Sequence, residues 1–300
     1  MKIVITGAAG RIGRAVHARL APRHELVGLD RVPAPTVRVV CDLLDAVAVR
    51  AALVGADAVI HTAGLHALDV GRESDAEFRR VNVEGTRALA GLAIAVGVSR
   101  FILTSTTALY GAAVPPPGAG LAGWIDEHTV PKPRSIYHET KLQAEQLLQS
   151  YGHAGALVVT ILRMSRCFPE PASRMATYRL HRGIDARDVA SAHERAVEMF
   201  TTAGARLFLI SATTPFLPED CEALARDAPA VLQRRAPALV QAFARRAWLL
   251  PRTIDRVYDS GQAVRALRWR PEYGYDEVLA SLDAQSDDVL PPDPLSRDAE

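Results

Sequence analysis

Tyr137 and Lys141 stand four residues apart in Tyr137-His-Glu-Thr-Lys141, a spacing that puts both side chains on one face of a helix. A lysine ammonium beside a phenol stabilises the phenolate and lowers its pKa, which makes the tyrosine a usable general base near neutral pH. Lysine is scarce here: only Lys2, Lys132 and Lys141 among 35 basic residues, so a lysine inside this pattern carries weight. A second set of hydroxyls, Thr104-Ser105-Thr106-Thr107, closes an apolar run that starts at Arg100. If that run is a strand, Thr106 can hydrogen-bond the same substrate oxygen that Tyr137 deprotonates.

The amino-terminal thirty residues supply a place for a second reactant. Met1-Lys-Ile-Val-Ile-Thr-Gly7-Ala-Ala-Gly10-Arg11-Ile12-Gly13 reads as a short apolar strand, a glycine turn and the start of a helix; Glu25 to Asp30 reads as a second strand ending in an acid. Gly7 permits the sharp turn, Gly10 lets the backbone approach a pyrophosphate, and Gly13 lets the helix pack closely on the strand. The helix N-terminus offers N–H groups and a positive dipole end to phosphates. Asp30 falls where an acid accepts from a ribose 2′-hydroxyl. Its carboxylate would repel a 2′-phosphate, so NAD is favoured over NADP, although Arg31 beside it could bind that phosphate.

The bulk composition excludes several classes. The chain has 300 residues, 49% of them hydrophobic, and a net charge of +1, which points to neither nucleic acid nor membrane as a partner. No run of eighteen apolar residues suggests a transmembrane helix. The sequence starts almost directly on a core strand, so no signal peptide is expected. Cys41, Cys167 and Cys221 are scattered and no ligand cluster is visible, which fits a reduced cytoplasmic protein without disulfide framework or metal.

Strands are expected at 2–6, 25–30, 37–41, 58–61, 100–104, 157–162 and 206–210. Helices are expected at 11–20, 46–53, 75–96, 136–151 and 188–202. Alternation of this kind implies a parallel sheet covered on both faces, with ligands at the carboxyl ends of its strands. The Pro/Gly-rich stretch 111–133 reads as a long loop, and 168–183 as irregular. Past Pro215 the chain reads as helical and basic, with nine arginines between Val231 and Arg270 against Asp255 and Asp259. These either form a solvated face or capture a substrate phosphate or carboxylate. His61 reads as structural, His138 as either lining the site or facing solvent, and Asp126 and Glu127 as closing the loop.

With these features assembled, the chain resembles the extended short-chain dehydrogenase/reductase superfamily, in its NAD-dependent epimerase/dehydratase branch. The resemblance runs from Met1 to about Leu282. Beyond the motifs above it is carried by Cys41-Asp-Leu43, Ala56-Asp-Ala-Val-Ile-His61, Asn82-Val-Glu-Gly-Thr86, Thr106 to Gly111, Asp185-Ala-Arg-Asp188 and Leu267-Arg-Trp-Arg-Pro271. It implies an α/β fold, a Rossmann-type doubly wound parallel sheet with a small, mostly helical C-terminal substrate-binding region. The NAD-binding part would be 1–165, completed by 184–212. The substrate region would be 166–183 with 213–284, and 285–300 a flexible tail.

The resemblance also implies roles. Thr106, Tyr137 and Lys141 are the catalytic set. The cofactor set is Gly7, Gly10, Arg11, Ile12, Gly13, Asp30, Arg31, Asp42, Leu43, Ala63, Gly64, Asn82, Thr104, Tyr137, Lys141 and Phe168. Asp42 would accept from the adenine amino group, Asn82 would hold the loop after the fourth strand, and Lys141 would hold the nicotinamide ribose. Thr107 and Ala108 replace the acid pair expected of a sugar 4,6-dehydratase, so elimination of water is not expected. Arg166 stands where nucleotide-sugar epimerases usually carry an asparagine for the substrate diphosphate. The stretch from Arg163 to Pro171, followed by Arg174-Met175, resembles uronate dehydrogenases, which makes Thr107, Arg166 and Arg174 candidate substrate ligands. The expectation is hydride transfer at a hydroxyl-bearing carbon of a sugar. A nucleotide-sugar epimerase is preferred over a dehydrogenase of a free sugar or uronic acid, and a non-catalytic NAD(H) sensor is the remaining reading. A homodimer is expected through 83–96 and 136–151.

Overall fold

The structure, a computed structural model, describes residues 1–115, 119–199 and 204–286. In chain order the elements are β1 (Lys2–Thr6), α1 (Arg11–Leu20), β2 (Glu25–Asp30), β3 (Val39–Val40), α2 (Ala46–Leu53), β4 (Ala58–His61), α3 (Asp75–Arg79), α4 (Gly85–Ala95), β5 (Arg100–Thr106), β6 (Gly123–Ile125), α5 (Ile136–His153), β7 (Val158–Met164), α6 (Ala172–Tyr178), α7 (Ala186–Glu198), β8 (Gly204–Ile210), α8 (Cys221–Arg226), α9 (Ala228–Arg235), α10 (Pro237–Arg245), β9 (Arg256–Tyr258), α11 (Gly261–Ala266) and α12 (Tyr275–Asp283).

Seven strands form one parallel sheet in the order β3-β2-β1-β4-β5-β7-β8. Side chains alternate across its faces, as strand geometry requires. Ile3 and Ile5 join Val16, Leu20, Ile60, Ile102, Leu162 and Val189 under α1 and α7. Val4 joins Val27, Val59, Phe101, Leu53, Leu89 and Leu148 under α2, α4 and α5. With both faces covered, the strands read as the continuous apolar runs seen in the sequence. The chain moves outward from β1 to β3 and then returns to the other side of β1 with β4. That reversal opens a crevice at the carboxyl ends of β1 and β4.

Several elements differ from the sequence expectation. The third strand shrinks to two residues because it is the sheet edge, where Val40 is 57% exposed. The expected helix 75–96 is broken: α3 ends at Arg79 and a π turn, Arg80–Glu84, precedes α4. There Thr86 Oγ1 donates to Asn82 O at 2.7 Å, and the widened turn carries Asn82 against the preceding loop. The fifth strand runs two residues further, to Thr106. The stretch 111–133 is not all loop, since β6 within it pairs in parallel with β9, from Gly123↔Arg256 to Ile125↔Tyr258. That partner lies too far along the chain for any local pattern to show it. The expected helix 188–202 starts at Ala186 and ends at Glu198; positions 116–118 of the loop, 200–203, and 287–300 of the expected tail lie outside the described residues.

A second apolar core sits beside the sheet. It gathers Ala122, Met175, Ala176, Phe216, Leu224, Leu232, Leu239, Phe243, Val257 and Leu279 from α6, α8–α10, β9 and α12. Among the described residues no helix is long and apolar enough to cross a membrane.

The glycine turn is the tightest joint between strand and helix. Gly7 has φ +70°, a conformation that side chains rarely adopt, and a Cβ there would lie 2.6 Å from Ala63 N. A Cβ on Gly13 would lie 2.1 Å from Gly7 O and 2.8 Å from Ala8 Cα. Both are backbone atoms and cannot swing aside. Gly13→Ala should therefore cost about 1–3 kcal/mol in urea unfolding and weaken NAD binding. Wild-type stability and NAD affinity in this variant would contradict the close packing.

Candidate active site

A cavity of about 800 Å³ opens at the carboxyl end of the sheet and runs from the glycine turn to the ends of β5 and β7. Its first half is built by β1, α1, β2 and β4. Arg14 N donates to Gly10 O at 2.9 Å, the bond that closes the first turn of α1. The first turn of α1 carries no acid and no side-chain cap. Gly7, Gly10, Arg11, Ile12 and Gly13 all line the cavity here. The bare N-terminus, the positive dipole end and a turn that leaves no room for Cβ atoms fit a pyrophosphate.

Asp30 ends β2 on the cavity wall, with Arg31 beside it. Its Oδ2 accepts from Ala9 N at 3.0 Å and its Oδ1 from Val32 N at 3.1 Å. Asp42 and Leu43 line the next stretch, and Ala63 and Gly64 follow β4. Asp42 Oδ1 accepts from Leu44 N at 2.9 Å; that bond and the Arg80 guanidinium hold its carboxyl below the usual range against the opposing effect of burial. Arg80 was not singled out from the sequence. The π turn delivers it to the cavity wall, where Glu77 grips it through two bonds of 2.7 Å. A carboxylate acceptor at Asp30, another at Asp42 and the phosphate cradle form a set suited to NAD.

Asn82 does not line the cavity. It is 2% exposed and spends its amide on neighbours: Oδ1 accepts from Leu65 N at 2.8 Å, and Nδ2 donates to Leu65 O at 3.0 Å and Thr140 Oγ1 at 3.1 Å. It positions the loop after β4 instead of meeting the cofactor directly. His61 is structural as expected. Thr86 gives its proton to Asn82 O and so accepts from His61 Nε2 at 2.9 Å, which leaves Nδ1 to accept from Thr6 Oγ1 at 2.7 Å. Burial, with Lys141 adding to it, pushes this histidine down to about 3.

The catalytic candidates meet where α5 crosses the ends of β5 and β7. Ser135 caps α5, its Oγ accepting from His138 N at 3.4 Å, and this starts the helix so that Tyr137 and Lys141 face the sheet. Thr106, the last residue of β5, lines the same stretch of the cavity as Tyr137, and its Oγ1 accepts from Ala108 N at 3.1 Å. Lys141 is buried and donates from Nζ to Thr104 O at 2.7 Å. Burial lowers it to about 8, against the raising effect of Glu145. The lowered tyrosine expected from the sequence is not what the cavity shows. Burial, with the Asp69 charge adding to it, pushes Tyr137 up against the lowering effect of Thr106.

Behind this trio lies a buried ion pair that the sequence reading did not identify. Glu145, one turn beyond Lys141, accepts from Arg163 Nε at 3.0 Å and Nη2 at 2.6 Å, and from Ser105 Oγ. Arg163 Nη1 donates to Tyr110 OH at 2.6 Å. The i,i+4 spacing from Lys141 was the available signal for Glu145.

Beyond Tyr137 the wall is formed by residues 164–182 and 256–258. Thr107, Arg166 and Phe168 line it, as do Tyr178, Arg182, Arg256 and Tyr258, which no local pattern marked. Arg166 is locked on Glu170, Nε to Oε2 at 2.7 Å and Nη2 to Oε1 at 3.0 Å. Arg174 is not on the wall: its side chain is 57% exposed and reaches Glu170 from outside at 3.4 Å. It sits on the first turns of α6, which turns it away from the cavity. Of the arginine-rich stretch 231–270, only Arg256 reaches the cavity; Arg234 and Arg235 pair with Asp220, and Arg246 with Asp283. Among the described residues no group of three or more His, Cys, Asp or Glu could hold a metal ion.

The family model for the NAD dependent epimerase/dehydratase family matches residues 3–202, and the chain belongs to that family. It is similar to a 3-beta-hydroxysteroid dehydrogenase of Mycolicibacterium neoaurum, 31% identical over 179 residues, which are 53% of this chain and 46% of that protein. It is also similar to a UDP-glucose 4-epimerase of Erwinia amylovora, 30% identical over 179 residues, 54% of this chain and 51% of that protein. The match thus spans about half the length of these curated relatives. A solved short-chain dehydrogenase/reductase superfamily protein from Agrobacterium tumefaciens, with bound NAD, superposes with a TM-score of 0.69 at 23% identity, covering 95% of this chain and 96% of that one. The two curated relatives act on unlike molecules, so the substrate has to be argued from the cavity.

Lys141 also makes a testable contribution to stability. With a folded value of about 8 and an ordinary value of 10.5, the unfolded chain holds a proton across that interval that the folded chain lacks. Stability of the cofactor-free protein therefore rises with pH through this group between about 8 and 10.5. The difference in unfolding free energy between wild type and Lys141→Met should shift in favour of wild type across that window. A flat difference would contradict the burial of a charged lysine.

Proposed function

We propose that the protein is an NAD-dependent oxidoreductase that oxidises a hydroxyl-bearing carbon of a free sugar acid. The observation that carries this reading is the wall beyond Tyr137. It presents Arg166, Arg182 and Arg256 with no acid among the residues of that wall, the acids Asp30 and Asp42 lying at the other end of the cavity, and no residue of 213–250 reaches it. Helices α8–α10 pack into the second core with α6, β9 and α12, and none of their residues lines the cavity. A small anionic substrate suits that composition better than a nucleotide sugar, which shifts the preference drawn from the sequence alone.

In this reading Tyr137 takes the proton of the substrate hydroxyl. Thr106, on the cavity wall with the phenol, shares that oxygen and fixes its position. Lys141 keeps a positive charge in the same cavity below pH about 8, held on Thr104 O at the end of β5. Bound NAD supplies the hydride acceptor. The residues suited to hold it are the glycine turn, Asp30 and Asp42, with Lys141 below the nicotinamide end. Thr106, Tyr137 and Lys141 drawn together in one cavity weigh against a mere sensor of NAD(H).

A second reading, redox-neutral epimerisation of a nucleotide sugar, draws on the similarity to the Erwinia amylovora enzyme and on the ability of arginine pairs to bind a diphosphate. The two readings differ in net chemistry. Purified protein with excess NAD should accumulate NADH with free uronic acids and not with neutral aldoses or UDP-sugars. Accumulation confined to neutral aldoses, or conversion of a UDP-sugar without net NADH, would overturn the sugar-acid assignment.

A further inference from the structure

Three guanidinium groups converge at the end of the cavity away from the glycine turn, and they come from distant parts of the chain. Main-chain bonds fasten their carriers together. Arg166 N donates to Arg182 O at 3.1 Å, and Ile184 N to Arg166 O at 3.0 Å. Tyr258 N donates to His181 O at 2.9 Å, and His181 Nδ1 bonds to Arg256 O at 2.8 Å. The Tyr178 ring lies among them, 4.2 Å from Arg182 Cζ and 5.9 Å from Arg166 Cζ. The constellation is held by backbone and ring packing, not by long side chains alone.

The three groups are unequally committed. Arg166 forms a closed fork with both oxygens of Glu170. Arg256 places Nε at 3.1 Å and Nη2 at 2.7 Å on a single oxygen of Asp255. Arg182 reaches Asp255 only once, Nη1 to Oδ1 at 3.5 Å, and its Nε is buried with no acceptor. Glu170 also serves Arg174, so these carboxylates do not neutralise the cluster. Neither Glu170 nor Asp255 faces the cavity.

From this imbalance we infer that Arg182 and Arg256 are the clamp for the substrate carboxylate, with Arg166 a fixed part of the wall and Arg174 uninvolved. The inference rests on the sugar-acid reading for its ligand. A carboxylate between Arg182 and Arg256 gives the weakly tied guanidinium a closer charge-assisted partner than Asp255 at 3.5 Å. The clamp is also registered to the chemistry. Tyr258, two residues after Arg256, donates from its hydroxyl to Thr107 O at 3.2 Å, next to Thr106. Holding the carboxylate there orients the substrate hydroxyl towards Tyr137, so the clamp selects acids and aligns them in one contact.

The test separates binding from turnover. D-glucuronate, D-galacturonate and UDP-glucose are titrated calorimetrically into the protein loaded with NADH, and NADH formation from NAD is measured in parallel. Arg182→Gln and Arg256→Gln should each weaken uronate binding by about 10–100-fold, the loss expected for a charge-assisted bond. NADH affinity and melting temperature should stay near wild type. Arg182→Lys, which keeps the charge and loses the fork, should fall between. The clamp is overturned by wild-type uronate affinity in both Gln variants, by loss confined to Arg166→Gln or Arg174→Gln, or by a wild-type protein that binds UDP-glucose and no uronate. Uronate binding that depends on both arginines but yields no NADH would uphold the clamp and sink the dehydrogenase reading alone.

Discussion

A positive charge buried at the carboxyl end of β5 organises this molecule. Lys141 is 8% exposed and spends its ammonium on Thr104 O, and burial works against its proton, lowering it to about 8. Glu145 opposes that loss from one turn further along α5. Glu145 is itself satisfied by Ser105 and by a fork from Arg163, and Arg163 passes the chain of contacts to Tyr110, whose hydroxyl donates to Asp126 O at 3.2 Å. One polar network therefore joins α5, β5, β7 and the turn after β6. Removing one partner from a buried pair of this kind costs about 3–5 kcal/mol. The lysine is held in a place that stability alone would not choose.

The same logic sets the polar layer beneath the cavity. His193 Nδ1 bonds to Val189 O at 2.8 Å, so its Nε2 accepts from Thr104 Oγ1, also at 2.8 Å. His61 links Thr6 of β1 to Thr86 of α4 in the same way. Both rings are kept neutral by burial, near 4 and 3 respectively. They fix strand ends and helices to one another without adding charge beside Lys141. The strand ends then become a rigid floor, and the variable surface lies above it in residues 164–182 and 256–258.

Much of the floor was legible in the sequence, and most of the upper wall was not. Gly7, Gly10, Gly13 and Asp30 lie on a contiguous segment, where steric demands act on near neighbours and leave a local pattern. Tyr137 and Lys141 share a helix face, so their spacing reports their geometry. Arg256 and Tyr258 are different, because their placement depends on β9 pairing with β6 across a long separation, and Arg182 is placed by the main-chain bond from Arg166 N to its carbonyl. Arg174 drew attention by resemblance, yet its side chain projects outside the cavity. Arg80 was hidden because a π turn, which hydrophobic periodicity does not register, rotates it onto the wall. The upward shift of Tyr137 also escaped the sequence, since it depends first on how deeply the phenol is buried.

In the proposed function Tyr137 receives the substrate proton, while the glycine turn, Asp30 and Asp42 hold the cofactor at the far end of the cavity. Tyr137→Phe removes one hydroxyl and leaves the ring, the glycine turn, Asp30 and Lys141 in place. The variant should bind NAD as wild type does and lose NADH formation by about two to four orders of magnitude, the range for a positioned general base. Near-normal turnover in Tyr137→Phe, on whichever substrate the wild type oxidises, would contradict the account.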